Sequence, residues 1–383
     1  MTRKKYIKEI PIFKEVGYRF TSITEANNIV TKNNDTFVKG VYSRHENQTI
    51  YEVEKQLSIM FGTVWSVLTP SGMSAIDIAL SVYQTSSDNK PWAFLNQIYS
   101  GTRSYVNRVL TRRGIRIVWI DPELSGDFDL IKVEEVINVQ RPKVLFLESI
   151  SNPYLITADI PQLTNICNKY GVKVVVDNTI ATSMLLNPLD FGVDMVVYSA
   201  TKYISGHNSL MAGIISGNDK NIETEVRQYR KNTGQVISPE NAFSLNEKSK
   251  TFPLRFMKQC QNAHLLVKDI FMKSEKINNV RYPGLEWNAE NEPYGAVIMF
   301  EFKGSTPESQ FKACEDFVIA VSNELHYSLS LGSVNTTLVH IKSFFNVETL
   351  TVTPGMMRLS VGIEDYSNLK DIIVDGLKKV KIR

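Results

Sequence analysis

The 383-residue chain is poor in the residues that staple or metallate a fold. It has three cysteines, Cys167, Cys260 and Cys314, an odd number set far apart. That spacing offers neither a disulfide framework nor a zinc site, and points to reduced, buried thiols. Five scattered histidines give metal catalysis nothing to stand on, so no metal is expected. No stretch approaches the ~18 apolar residues of a membrane span. The basic start "MTRKK" leads into polar residues rather than the apolar core of a signal peptide. A formal charge of +3 is small for this length and leaves no electrostatic footprint for nucleic acid. What remains is an ordinary composition, 43% hydrophobic and 22% charged, which implies a soluble, cytoplasmic, enzyme-sized protein. The length is too great for one simple core and requires two domains, or a large one with an appendage.

Residues 1–45 are polar and irregular, as in an arm that orders against a partner subunit. An amphipathic pattern begins at "IYEVEKQLSIM", followed by the strand-like "WSVLTP" and by "SGMSAIDIALSVYQ", a Ser/Gly turn opening a helix. The runs "WAFLN", "RIVWID", "KVLFLES", "KVVVDN" and "DMVVYSA" are short, apolar and end in polar residues. Between them lie helical stretches such as "RSYVNRVLTRRG" and "DIPQLTNICNKYG", the second closed by Gly171. Strands this uniformly apolar predict a mostly parallel sheet covered on both faces, in an α/β domain over residues 46–240. After about Ser238 the pattern changes to a long helix, "FPLRFMKQCQNAHLLVKDIFMKS". Strands around "GAVIMFEF" and "MMRLSVGI" and the closing helix "NLKDIIVDGLKKV" then predict a smaller α+β domain over residues 241–383.

Ligands of such sheets gather at the carboxyl ends of the strands, where Glu148, Asp177 and Ser199 lie. Lys202 follows Ser199 at once, among the hydroxyl residues Thr201 and Ser205. A lysine amine forms a Schiff base with an aldehyde cofactor, of which pyridoxal phosphate (PLP) is the common one. Asp177, at a neighbouring strand end, is placed to keep the pyridine nitrogen protonated, and only the pyridinium is a strong electron sink. The hydroxyls of Ser199 and Thr201 can take the phosphate, joined by the amides of Gly72 and Met73 at a helix N-terminus. Singly, each feature has a bland explanation: a solvated lysine, a turn aspartate, a capping serine. The three in this order, each at a strand-to-helix junction, are much less easily explained by caps.

The stretch "DNTIAT…NPLDFGVDMVVYSATKYISGH" resembles the signature of the Cys/Met-metabolism PLP-dependent enzymes, the family of cystathionine γ-synthase, cystathionine γ-lyase and methionine γ-lyase. "YSRHENQT", "SGMSAI", "YSGT", "ESISNPYL", "TFPLR", "YPG", "SLG" and "RLSVGIED" follow the same family's order over nearly the whole chain. The resemblance implies the type I aminotransferase fold: an N-terminal arm over 1–45, a large PLP-binding domain and a small C-terminal domain. It implies that Lys202 carries the cofactor and that Tyr99 stacks on its ring and helps move protons as a phenolate. A phenol of ordinary pKa about 10 needs nearby cations for that. It sends Tyr42 and Arg44 across a dimer interface to the neighbouring subunit's phosphate, where arginine makes a bidentate clamp. It puts Asn152 near the ring hydroxyl and the substrate, and Arg358 on the substrate α-carboxylate with Ser330 beside it. Arg358 also stands between apolar residues of a strand, where an unpaired charge is costly and a ligand partner is favoured. The implied assembly is a homodimer with shared active sites, pairs of which close into a tetramer.

The departures from the family pattern surround the substrate. Gln48 stands for the proline of "NPT", "FGT" for a "LEGG"-like turn, and Ser333 and Asn335 for a glycine and a glutamate. Asn346 stands where a histidine is expected. Leu329 occupies a position that helps sort substrates and cannot pair with an ammonium, which disfavours a standard cystathionine γ-lyase. The expected activity is that of a trans-sulfuration-type enzyme, performing γ-replacement or γ-elimination on a homoserine ester or a sulfur-containing amino acid. Two alternatives stand beside it: a relative repurposed for β- or γ-chemistry on a specialised amino acid, and a catalytically silent scaffold of the same fold. Intact Lys202, Asp177, Tyr99 and Arg358 speak against the last.

Overall fold

A computed structural model describes residues 9–31, 41–85, 89–123, 127–283, 294–345 and 352–382. Seven strands form the larger sheet: β1 (Trp65–Thr69), β2 (Trp92–Leu95), β3 (Ile117–Ile120), β4 (Val144–Glu148), β5 (Lys173–Asp177), β6 (Met195–Ser199) and β7 (Gly213–Gly217). Their spatial order is β1-β7-β6-β5-β4-β2-β3. From β3 to β6 neighbours run parallel, and β7 lies antiparallel to both β6 and β1. The apolar runs make this sheet because alternate side chains point to opposite faces and both faces are covered. Leu145, Leu147, Val174, Val176 and Val196 enter one core, while Phe146, Val175 and Val197 enter the other. The mostly parallel sheet expected from the sequence is present.

Helix Gly72–Ser81 starts at the carboxyl end of β1, with Ser71 capping the amide of Ser74 and Ala75, Ile76, Ile78 and Ala79 buried. A Cβ at position 72 would lie 2.8 Å from the Cβ of Ser199, so only glycine lets this helix end against the end of β6. The close approach of helix and strand puts two chain segments, 127 residues apart in sequence, into one cradle.

A second sheet comprises β8 (Ile277–Arg281), β9 (Val297–Phe302), β10 (His326–Tyr327), β11 (Thr337–His340) and β12 (Met356–Ser360), in the order β10-β11-β12-β9-β8. It has a core of its own, in which Phe300, Phe317, Leu359 and Ile373 meet. Helix Phe252–Asp269 ties the two units together. Phe252, Phe256 and Cys260 on it pack into the large core, and Ala263, Leu266 and Val267 into the small one.

In the arm, a helix at Ile23–Thr31 forms where no periodicity is legible in the sequence. Residues 11–13 are fastened to the start of helix Gln48–Phe61: the Phe13 amide donates to Thr49 Oγ1 at 2.8 Å, and that hydroxyl donates to the Pro11 carbonyl at 2.8 Å. Asn47 caps the helix by accepting from the Thr49 and Ile50 amides. Gln48, the replaced proline, is the first residue of this helix. Among the described residues no helix is long and apolar enough to cross a membrane, and the three cysteines are buried and unpaired.

Candidate active site

The chain makes a tight turn after β6. The Lys202 amide donates to the Ser199 carbonyl at 3.1 Å, and the Gly206 amide to the Lys202 carbonyl at 2.7 Å. Arg255, buried on helix Phe252–Asp269, braces this turn from below by donating to the Tyr203 and Ile204 carbonyls, both at 2.9 Å. Gly206 has φ +69, and a Cβ there would lie 1.7 Å from the Arg255 guanidinium, so the brace and the glycine require each other. The Lys202 amine emerges to donate to Ser330 Oγ at 3.1 Å. Burial, and then the charge of Arg358, hold that amine down at about 8.

Ser330 belongs to a loop that lies on the lysine turn. Its Gly332, at φ +81, packs so tightly that a Cβ would lie 2.7 Å from the Tyr203 amide nitrogen. The Gly332 amide donates to Ser360 Oγ at 2.9 Å, and the Val334 amide to the Gly206 carbonyl at 2.8 Å. Gln259 donates to the Ser333 carbonyl at 2.7 Å.

Arg358, on β12, is 2% exposed. Its guanidinium donates to Asn152 Oδ1 at 2.8 Å and to the carbonyls of Leu329 at 2.6 Å and Ser330 at 3.1 Å, and lies 5.3 Å from the centre of the Phe345 ring. No carboxylate of the described residues pairs with it, and its buried Nε has no hydrogen-bond partner among them. Burial holds the guanidinium down at about 10. A buried cation with neutral partners only is a site for an anion.

Two carboxylates stand opposite. Glu148 and Asp177 are register partners at the ends of β4 and β5. Asp177 accepts from the Thr179 amide at 2.9 Å, and burial pushes its carboxyl up to about 6. Glu148 is pushed well above the usual carboxylate range by burial and then by Asp177. It accepts from the Tyr99 amide at 2.5 Å and from the Asn152 amide at 3.2 Å. The Tyr99 side chain is partly open to solvent, with its ring against Gly101, where a Cβ would be 2.4 Å from a ring carbon.

At the other end, Ser71 takes the Ser74 amide at 3.1 Å and leaves the Gly72 and Met73 amides without an acceptor inside their helix. The Ser199 hydroxyl has no partner among the described residues. Thr201 Oγ1 exchanges hydrogen bonds with Ala212, accepting from its amide at 3.1 Å and donating to its carbonyl at 3.3 Å. These groups fit PLP: free amides and a hydroxyl for a phosphate, a partly neutral amine for an aldehyde, and a buried carboxylate pair for a cationic ring nitrogen.

The structure thus brings together Lys202, Ser330, Leu329, Arg358 and Asn152 by direct contact, and Gly72 with Ser199. Tyr42 and Arg44 do not join them within one chain. Arg44 donates to the Lys231 carbonyl at 2.8 Å, at the end of helix Lys220–Thr233, and lies over the half-exposed Tyr42 ring. Asn346 falls outside the described residues. Three participants carry no role in the sequence reading: Glu148, noted only as a strand end; Arg255, whose "TFPLR" motif was visible but whose partners are backbone carbonyls; and Thr179, whose hydroxyl accepts from the Ser199 amide at 2.8 Å.

Residues 2–378 match the family described as "Cys/Met metabolism PLP-dependent enzyme". The chain is 31% identical over 367 residues to an L-methionine gamma-lyase of Fusobacterium nucleatum, covering 89% of this chain and 86% of the relative. It is 30% identical over 355 residues to a cystathionine beta-lyase of Lactococcus lactis, covering 88% of each. The crystal structure of a cystathionine gamma synthase from Xanthomonas oryzae superposes with a TM-score of 0.83 at 24% identity, over 96% of this chain and 92% of the other.

Proposed function

The chain belongs to the Cys/Met-metabolism PLP-dependent enzymes, and on that premise we propose that it eliminates or replaces the γ-substituent of a homoserine ester or a sulfur-containing amino acid. The observation that carries the reading is the pairing of a partly neutral Lys202 amine with the unpaired Arg358 cation, both touching Ser330. An α-amino acid offers a carboxylate to Arg358 and an amine and Cα–H to Lys202. Bound PLP supplies the electron sink that stabilises a carbanion at Cα.

The protein's own groups do the rest. Arg358 takes the α-carboxylate as a planar fork and fixes the rotation about Cα. Lys202 Nζ, with a pKa near 8, takes the Cα proton and returns one further along the chain, since amine and ammonium are both populated near neutrality. Asp177 keeps a proton on the ring nitrogen. The Gly72 and Met73 amides and the Ser199 hydroxyl hold the phosphate end, joined by the Thr201 hydroxyl once its proton turns from the Ala212 carbonyl. Tyr99 covers the ring, and Asn152 fixes Arg358 against it. Leu329 and Phe345 give the distal end of the substrate no acid to pair with, which favours a neutral thioether or an ester over a distal ammonium.

We further propose a homodimer in which Tyr42 and Arg44 complete the neighbouring subunit's phosphate site, and pairs of dimers that close into a tetramer. The support is that, among the described residues of its own chain, Arg44 meets the Lys231 carbonyl and the Tyr42 ring but no anion. Three buried, unpaired thiols suit a reducing compartment, the cytoplasm. The deciding experiment is a panel of methionine, cystathionine, O-acetylhomoserine and O-succinylhomoserine, with and without thiols, read by product mass and ketoacid release. The expected result is ketobutyrate, or a γ-substituted product when a thiol is present. Pyruvate alone would assign β-elimination instead, and no product from any of them would end the trans-sulfuration reading.

A further inference from the structure

Glu148 lies 8% exposed at the end of β4, between two segments that each carry a binding residue. No cation pairs with it among the described residues. One oxygen accepts from the Tyr99 amide and the other from the Asn152 amide. Tyr99 is the N-cap of the short helix Ser100–Tyr105: its carbonyl accepts from the Arg103 amide at 3.0 Å, while this carboxylate takes its own amide. Asn152 in turn gives its side-chain oxygen to Arg358. Burying an acid that could be an apolar residue is costly unless its oxygens are used, and here both are used on site residues.

We propose that Glu148 is a positioning residue of the active site, a single buried carboxylate that sets the Tyr99 ring over the cofactor and, through Asn152, the Arg358 fork toward the substrate. It acts through those two backbone amides, beside the Asp177 carboxyl that is its register partner. The bridge needs two acceptor oxygens on one planar group, which a glutamine supplies by half and an alanine not at all. The proposal rests on the reading of Tyr99, Asn152 and Arg358 as binding residues.

The test compares Glu148→Ala, Glu148→Gln, Asn152→Ala and the Glu148→Ala/Asn152→Ala double variant. Two equilibrium readouts need no turnover: PLP affinity by fluorescence titration of the cofactor-free protein, and the affinity of the loaded protein for alanine, which has no leaving group, by cofactor absorbance. Glu148→Ala is expected to weaken PLP by about tenfold and alanine by about tenfold, the loss of one charge-assisted contact to each segment. Glu148→Gln, which preserves volume, keeps the fold and falls between. Because Glu148 reaches Arg358 through Asn152, the double variant should bind alanine no more weakly than Asn152→Ala alone. Losses that multiply, or a Glu148→Gln protein of wild-type melting temperature whose affinities for PLP and alanine both lie within twofold of wild type, would overturn the proposal. Wild-type protein that binds PLP and alanine but processes no sulfur amino acid would instead refute the trans-sulfuration reading and leave this test intact.

Discussion

Replacing Arg358 by methionine separates substrate binding from stability. The guanidinium has three neutral partners, Asn152 Oδ1 and the Leu329 and Ser330 carbonyls, and no anion. Holding it down at about 10 corresponds to a burial cost of about 3 kcal/mol. Methionine removes that cost and fills similar volume, while forfeiting three hydrogen bonds worth about 1 kcal/mol each. The two sums nearly cancel, so the melting temperature of the cofactor-free protein should stay close to that of wild type. Substrate loses two charge-assisted bonds to its carboxylate, together about 3–4 kcal/mol, so kcat/KM should fall about 10²–10³-fold. The discriminating assay sets an amino-acid substrate against the matching amine without its α-carboxylate. The amine should be as poor with Arg358→Met as with wild type. Equal losses for both compounds, or a collapse in melting temperature, would mean that Arg358 only holds the loop at residues 329–330 and does not bind substrate.

Borohydride reduction followed by peptide mapping should place the pyridoxyl group on Lys202, and a label on another lysine would displace it from its role. Because burial and Arg358 hold its amine at about 8, the rate of PLP capture by cofactor-free protein should climb through pH 8, with a higher midpoint in Arg358→Met. For Asp177 the folded carboxyl titrates at about 6, above its unfolded value. Its contribution to stability is therefore full below about pH 4 and is lost as pH rises through about 6, by up to about 3 kcal/mol. Asp177→Asn should flatten that slope in melting scans of the cofactor-free protein, and an unchanged slope would refute the assignment. Co-expressing Arg44→Ala with Lys202→Ala should recover activity in mixed oligomers, since one composite site then has both intact groups; activity no higher than that of either parent would place Arg44 in its own chain's site. Leu329→Glu should lower KM for cystathionine by about two- to fivefold and leave that for methionine unchanged, because a half-exposed ion pair contributes about 1 kcal/mol or less.

Six of the seven strands of the large sheet were legible because each is a continuous apolar run ended by polar residues. The seventh, β7, was not. Its sequence "GIISG" has glycine at both ends, a composition that signals no strand. The glycines answer to packing invisible from sequence: a Cβ at Gly213 would lie 2.2 Å from the Ser71 carbonyl oxygen, and one at Gly217 would lie 2.4 Å from the Trp65 ring. The same asymmetry governs the site. Lys202, Asp177 and Ser199 announce themselves by their place at strand ends, where their chemistry is local. Glu148 and Arg255 act on backbone atoms 49 and 52 residues away, and no spacing rule reports such contacts.

The loop from Leu329 to Asn335 explains how the chain can keep the proposed cofactor- and carboxylate-binding residues while departing from the family pattern beside them. Apart from the Ser330 hydroxyl, which accepts from the Lys202 amine, the anchors of that loop use backbone atoms on the loop side. Arg358 takes the Leu329 and Ser330 carbonyls, Gln259 takes the Ser333 carbonyl, and the Gly332 and Val334 amides bond to Ser360 and to the lysine turn. Only Gly332 is constrained by its own substituent, through a left-handed φ and contact with the Lys202 backbone. Side chains at 329, 333 and 335 can therefore change without moving Arg358 or Lys202. Leu329, Ser333 and Asn335 are the three loop positions where the family pattern is broken. The half-exposed Leu329 side chain leaves room for substrate preference to shift, while Arg358, the proposed carboxylate clamp, and the Lys202 amine stay in place because the backbone holds them.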